Sequence, residues 1–261
     1  MKYLFTIAFA ILLLITSCEK KEVLPSYSSL KINFVNTINS IPIKLNSNYL
    51  SPNNEEFSIS TLNYFISNME LVRQDGNKIV LDNQYFLIKE SDLNSKIIQI
   101  DSLPTGTYSS INFIIGVDSL KNTSPLEERI GVLDPASYGT DNMYWSWNSG
   151  YIFLKMEGLA ANAPTDNSGT NSYKYHIGGF GGLSSATVNN IKKVSLDFSI
   201  PLVLEGANTA SFNLEAKIES IFKGSNSIDF ANYHIVMNPA KGKFIADNYA
   251  KMFVVNSIKG E

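Results

Sequence analysis

The chain has two tryptophans, two histidines and one cysteine, and the tryptophans stand two residues apart. They fall in Met143-Tyr144-Trp145-Ser146-Trp147-Asn148-Ser149-Gly150-Tyr151. On a strand, residues i and i+2 share a face, so Trp145 and Trp147 would point together with Met143, and Tyr144 would point the other way. Such a pair can be a packing ridge of the core, an aromatic patch open to a ligand, or a target for oxidation. His176 lies in Tyr175-His176-Ile177-Gly178-Gly179-Phe180-Gly181-Gly182, and His234 in Tyr233-His234-Ile235-Val236-Met237. Imidazole suits copper, and the thioether of Met237 favours its cuprous state, so His176, His234 and Met237 are candidate metal ligands. A histidine ahead of a glycine pair also serves as a hydrogen-bonded structural residue. Asp118 and Asp134 flank a polar loop and offer hard oxygens, suited to calcium or to capping the turns of that loop. Regular calcium-loop spacing is missing there and in Asp166-Asn167-Ser168-Gly169-Thr170-Asn171.

Several chemistries find no residues. The sequence has no GxSxG, no HExxH and no glycine loop of phosphate-binding pattern, and Gly178-Gly179-Phe180-Gly181-Gly182 does not follow the dinucleotide spacing. No carboxylate pair stands out for acid–base work, so no catalytic residue is expected and the chain reads as a non-enzyme. Its formal net charge is −3, without a basic block, which argues against a nucleic-acid partner. With one cysteine the fold must rest on its core and not on disulfides, and any metal would be held by His, Met, carboxylate, amide or backbone groups.

The elements that must position these residues read as strands. Period-two alternation recurs at Leu30-Ile32-Phe34, Met69-Leu71, Ile111-Phe113-Ile115-Val117, Tyr151-Phe153-Lys155, Val194-Leu196-Phe198-Ile200-Leu202 and Phe212-Leu214-Ala216-Ile218. Gln74-Asp75-Gly76-Asn77 marks a hairpin turn. Residues 84–88 and 96–100 supply two further strands. Helix is expected only at 58–62, 218–222 and 245–253. The fold class is therefore all-β, a single β-sandwich-like domain with long loops and few short helices. Residues 120–142 and 159–172 exceed ordinary hairpin connections, and loops of that length are commonly functional.

The amino terminus carries a different signal. Lys2 precedes an apolar run from Leu4 to Ile15, too short to span a bilayer, and the run ends in Ile15-Thr16-Ser17-Cys18. The arrangement resembles a bacterial lipobox. It predicts a lipoprotein signal peptide over 1–17, a lipidated tether over 18–27 with Cys18 as the acylated residue, and a domain over 28–261. Two acyl chains make a stable membrane anchor, on the periplasmic or the cell-surface face of the outer membrane.

Distributed words along the chain resemble the MbnP family, copper-associated proteins found beside diheme peroxidase-like partners. They are Tyr64-Phe65-Ile66-Ser67-Asn68 followed by Asp75-Gly76, then Gly116-Val117-Asp118-Ser119 with Asn122, then Leu133-Asp134-Pro135. The segment from Met143 to Gly158 follows, then Tyr175-His176-Ile177-Gly178-Gly179, and finally Ile245-Ala246-Asp247-Asn248-Tyr249-Ala250 with Met252-Phe253. The resemblance implies an extracytoplasmic β-sandwich that binds copper and has a diheme partner that oxidises a tryptophan to kynurenine. Carried over, Trp145 or Trp147 is the modified residue and His176 the imidazole ligand. Some relatives have a histidine soon after the first strand, where this chain has Asn36, a poorer copper ligand. The contrasting reading is a metal-free surface lipoprotein that binds a glycan or peptide on Tyr144, Trp145, Trp147 and Tyr151.

Overall fold

The protein is described by a computed structural model covering residues 26–206 and 209–260. Cys18 and the signal segment lie outside the described residues, as does most of the tether. Two sheets face one another. In the smaller, the Tyr27–Ile38 strand pairs in parallel with Thr209–Lys217 and antiparallel with Ile97–Pro104, and Phe253–Gly260 flanks Thr209–Lys217. In the larger, strands follow the order Lys192–Leu204, Gly106–Ile115, Thr61–Arg73, Gly150–Leu159, Ser172–Gly178 and Ile235–Val236. The expected β-sandwich-like domain is the observed one. Its core holds alternate residues of both sheets, among them Leu30, Ile32, Tyr64, Ile66, Leu154, Ile177, Phe212 and Leu214.

The Thr61–Arg73 strand departs from that simple alternation. Ile66 to Arg73 pairs with Gly106–Ile115, whereas Thr61 to Tyr64 pairs with Gly150–Leu159. Leu62 to Ser67 is buried without a break, so the strand is covered on both faces. Tyr64 and Ile66 enter the main core, and Phe65 enters a second cluster with Val117, Leu133, Tyr138, Met143, Tyr151, Phe153 and Phe180. This second core is supplied by the long 116–149 connection, which folds over the sheet through one short helix and three 3₁₀ turns. At its root, Gly116 donates its N–H to Phe65 O (3.0 Å), and its φ is +121°. A Cβ at Gly116 would meet Phe153 Cγ at 2.8 Å, so only glycine lets the phenyl ring lie across the backbone there.

Three local expectations are corrected. Residues 58–62 are not helical; Glu56–Ser58 and Thr61–Arg73 are strands, because the short apolar run extends a period-two pattern on into the sheet. The last helix is Pro239–Tyr249, capped by the Asn238 side chain on Lys241 N, and residues from Phe253 onward form a strand. The alternation over 194–202 breaks between Asp197 and Leu202, where the register shifts, and Ile200 is left exposed.

Gly116→Ala should destabilise the domain by about 2 kcal/mol or more, through strain at a positive φ and displacement of Phe153. Chemical denaturation read by tyrosine and tryptophan fluorescence checks this, and a loss near zero would mean that the second core does not bear on Gly116.

Candidate functional site

The tryptophan segment sits at the edge of the second core. Tyr144–Trp145 makes a two-residue strand against Gly150 and Tyr151, and Trp147 lies in the turn that follows, where Gly150 N donates to Trp147 O. A single strand through Met143, Trp145 and Trp147 is thus corrected to a short strand and a turn. The indoles nevertheless share a side, because the turn folds Trp147 back on Trp145. Their ring centroids are 4.9 Å apart and their planes 29° from parallel. Trp147 is 49% exposed, whereas Trp145 packs partly buried against the second core.

Two devices hold this turn. Asn148 Oδ1 accepts from the backbone N–H of Leu183 (2.8 Å), Ser184 (2.6 Å) and Ser185 (3.2 Å), and Asn148 Nδ2 donates to Ser185 O (2.8 Å). One amide thereby ties the tryptophan turn to the glycine loop, whose Gly182 has a φ of +96°. On the other flank, the buried Arg129 lies over the rings of Tyr144 (5.1 Å) and Tyr151 (5.6 Å). Arg129 Nη2 donates to Asn122 O and Ser124 O. Among the described residues it has no carboxylate partner, so backbone oxygens and ring faces carry its charge.

Trp145 also lies against Gly178. A Cβ there would stand 3.0 Å from Trp145 Cζ3 and 2.5 Å from Tyr151 O. His176 is two residues back on the same strand, in register with Lys155, on the outer face of the sheet. His176 Nε2 and Glu157 Oε1 are 2.6 Å apart, and Lys155 Nζ is 3.8 Å from the same oxygen. Lys155 is buried and donates to Asp141 O (2.6 Å), so the loop is fastened over this charged cluster. The hydrogen bond from His176 holds the Glu157 carboxyl below its usual range; burial opposes this, and the nearby Lys155 and Lys174 assist it.

The remaining candidates separate. Lys174 pairs with Ile235 and Tyr175 with Val236 in parallel, so Met237 follows at the next register step, beside His176 on the outward side. His234 is elsewhere: it caps the Phe230–Tyr233 helix, its carbonyl accepts from Lys174 N, and its Nδ1 is buried without a partner among the described residues. Asp118 caps the Ser119–Thr123 helix on Lys121 N and accepts from Tyr85 OH at 2.5 Å. Asp134 caps a separate 3₁₀ turn on Ala136 N. Asp166 is engaged by Ser168, Thr170 and Ser172 of its own loop. Asn36 is buried inside the sandwich, accepting from Tyr64 OH and donating to Glu90. It therefore does not complete the outer face that carries His176. Among the described residues no three His, Cys, Asp or Glu side chains converge. Glu157, Lys155, Arg129 and Asn148 are the site residues that the sequence did not single out; only the cross-strand register brings the first two to His176.

A model of the MbnP family matches residues 27–238. Among solved structures, MbnP from Methylosinus trichosporium resembles this chain with a TM-score of 0.59 at 16% identity, over 90% of this chain and 99% of that one. At that identity the likeness is one of fold. The comparison with curated proteins finds no match.

Glu157→Gln should change the acid limb of stability. A carboxylate with a depressed folded pKa contributes above its unfolded value, near 4.5, and loses that contribution as pH falls through the lower folded value. The wild type should therefore lose stability below about pH 4.5 more steeply than the variant, as read from denaturation midpoints across that window. Equal slopes would show that the His176–Glu157 contact carries no linkage.

Proposed function

This chain belongs to the MbnP family, and on that premise we propose that it is a lipid-anchored, extracytoplasmic copper-binding protein whose tryptophan pair is oxidised by a diheme partner. The observation that carries the reading is the place of Trp145, which lies over Gly178 on the strand that bears His176. The anchor rests on the Ile15-Thr16-Ser17-Cys18 signal and on the start of the first strand at Tyr27, which leaves a short tether between membrane and domain. No helix among the described residues is long and apolar enough to cross a membrane.

The outer-face donors suit copper. His176 offers an imidazole, Glu157 a carboxylate and Met237 a thioether one register step away, a soft-to-borderline set that accepts copper in low coordination. An intact indole is a poor ligand, but opening its ring to kynurenine leaves an aryl amine and a ketone that coordinate. Copper held there would supply one-electron chemistry. The chain's own groups do the rest: Glu157 fixes the imidazole, Lys155 balances the carboxylate, and Gly178 leaves room for the ring at 145. The protein acts in this reading as a carrier and redox substrate and not as a catalyst. His234 and the capping carboxylates Asp118 and Asp134 take no part.

A second reading has one observation in its favour. The half-exposed Trp147, with Tyr144, Trp145, Asn142, Ser146 and Pro135, lines an open groove of about 420 Å³, where an aromatic face and amide groups could meet a sugar ring.

Copper titration of protein purified from its own host tests the two. Stoichiometric copper, with affinity falling by ~10-fold or more in His176→Ala, is the expected result. Background copper with both indoles intact by peptide mass would contradict it and turn attention to glycans.

A further inference from the structure

The two indoles are not equivalent. Trp147 faces solvent, Trp145 is packed against the second core, and a stack of 4.9 Å joins them. Stacked rings at that distance have overlapping π-systems, and an oxidant too large to enter the fold can touch only the outer one. The arrangement is also held in place from both sides. Asn148, the residue after Trp147, is locked to the 183–185 backbone, and Tyr144, the residue before Trp145, lies under Arg129. Such bracing costs conformational freedom that a mere surface ridge would not require.

We propose that Trp147 is an electron relay, the entry point through which an external one-electron oxidant reaches Trp145. The proposal deepens the reading that this pair is oxidised and rests on it, but it concerns the order of events within the chain. The step balances with an outer-sphere oxidant of the ruthenium(III) polypyridyl class. Trp147 gives one electron to the complex, which becomes ruthenium(II). Trp145 then gives one electron to the Trp147 radical cation, which returns to a closed-shell indole. The Trp145 radical cation releases its ring N–H proton to water and is left as a neutral radical. Packing against the second core shields that radical from reductants in solution, and its position over Gly178 places it on the strand of His176.

The relay is tested by flash-generating tris(bipyridine)ruthenium(III) in the presence of the mature protein and recording the neutral tryptophan radical by transient absorption. Three variants are compared. Trp147→Phe retains a ring that can pack but not be oxidised under these conditions, so the radical yield at Trp145 should fall several-fold. Trp147→Tyr retains a ring that can be oxidised and should keep most of the yield. Trp145→Phe should leave rapid oxidation of Trp147 while shortening the lifetime of the radical. A Trp147→Phe yield equal to that of the wild type would overturn the relay. So would equal losses in Trp147→Phe and Trp147→Tyr, which would trace the effect to packing alone. No partner enzyme or copper enters the experiment. A failure here with altered tryptophans in host-purified protein sinks the relay only, whereas a working relay with unaltered tryptophans in that protein sinks the functional reading.

Discussion

Everything around the tryptophan pair depends on covering the outer face of one strand. Leu62 to Ser67 is apolar or tightly packed on both sides, and Phe65 cannot be left in water. Burying a phenylalanine side chain is worth about 2–3 kcal/mol. The chain meets the requirement by spending some thirty residues, 116–149, on a cover that brings Tyr138, Met143, Tyr151 and Phe153 over Phe65. The tryptophan turn is the free edge of that cover. Its location beside the Ser172–Gly178 strand follows from where the cover ends, at Gly150, and from the pairing of the strand that starts there.

Polar groups then decide how firmly the edge is held. Loops lying on a sheet leave backbone oxygens and N–H groups that must find partners. Arg129 takes up carbonyls of the 122–124 turn, Lys155 takes that of Asp141, and Tyr151 and Tyr138 hydroxyls take those of Leu133 and Val132. Asn148 does the same for three N–H groups of the glycine loop. Each charge placed in this layer has a nearby answer: Lys155 has Glu157, and Arg129 has two ring faces. Removing one member of such a layer leaves a buried partner unsatisfied, which costs more than the contact itself contributes.

The sheet framework was legible because period-two patterning is strong where one face is wet, as in Ile111-Phe113-Ile115 and Phe212-Leu214-Ala216. It was less legible where both faces are dry. Tyr151 to Met156 is buried throughout, Lys155 included, so the lysine reads as a surface residue although it ends on Asp141. The two halves of the site were visible as words, the tryptophan segment and Tyr175-His176-Ile177-Gly178-Gly179. Their meeting was not visible, since it depends on the register of two strands and on a glycine that clears 3.0 Å for an indole. Position 36 reads as a site position from sequence likeness alone; inside the sandwich it is a hydrogen-bonding residue of Tyr64 and Glu90.

The central claim is that the outer face of the Ser172–Gly178 strand, with its packed indole, is where copper is held. A crystal structure of the protein purified from its own host, with anomalous data collected at the copper edge, tests this most directly. The account predicts an anomalous peak within bonding distance of the His176 imidazole and a ring-opened side chain at position 145 or 147. An unbroken indole stack, with the His176–Glu157 contact closed and no peak on that face, would contradict it.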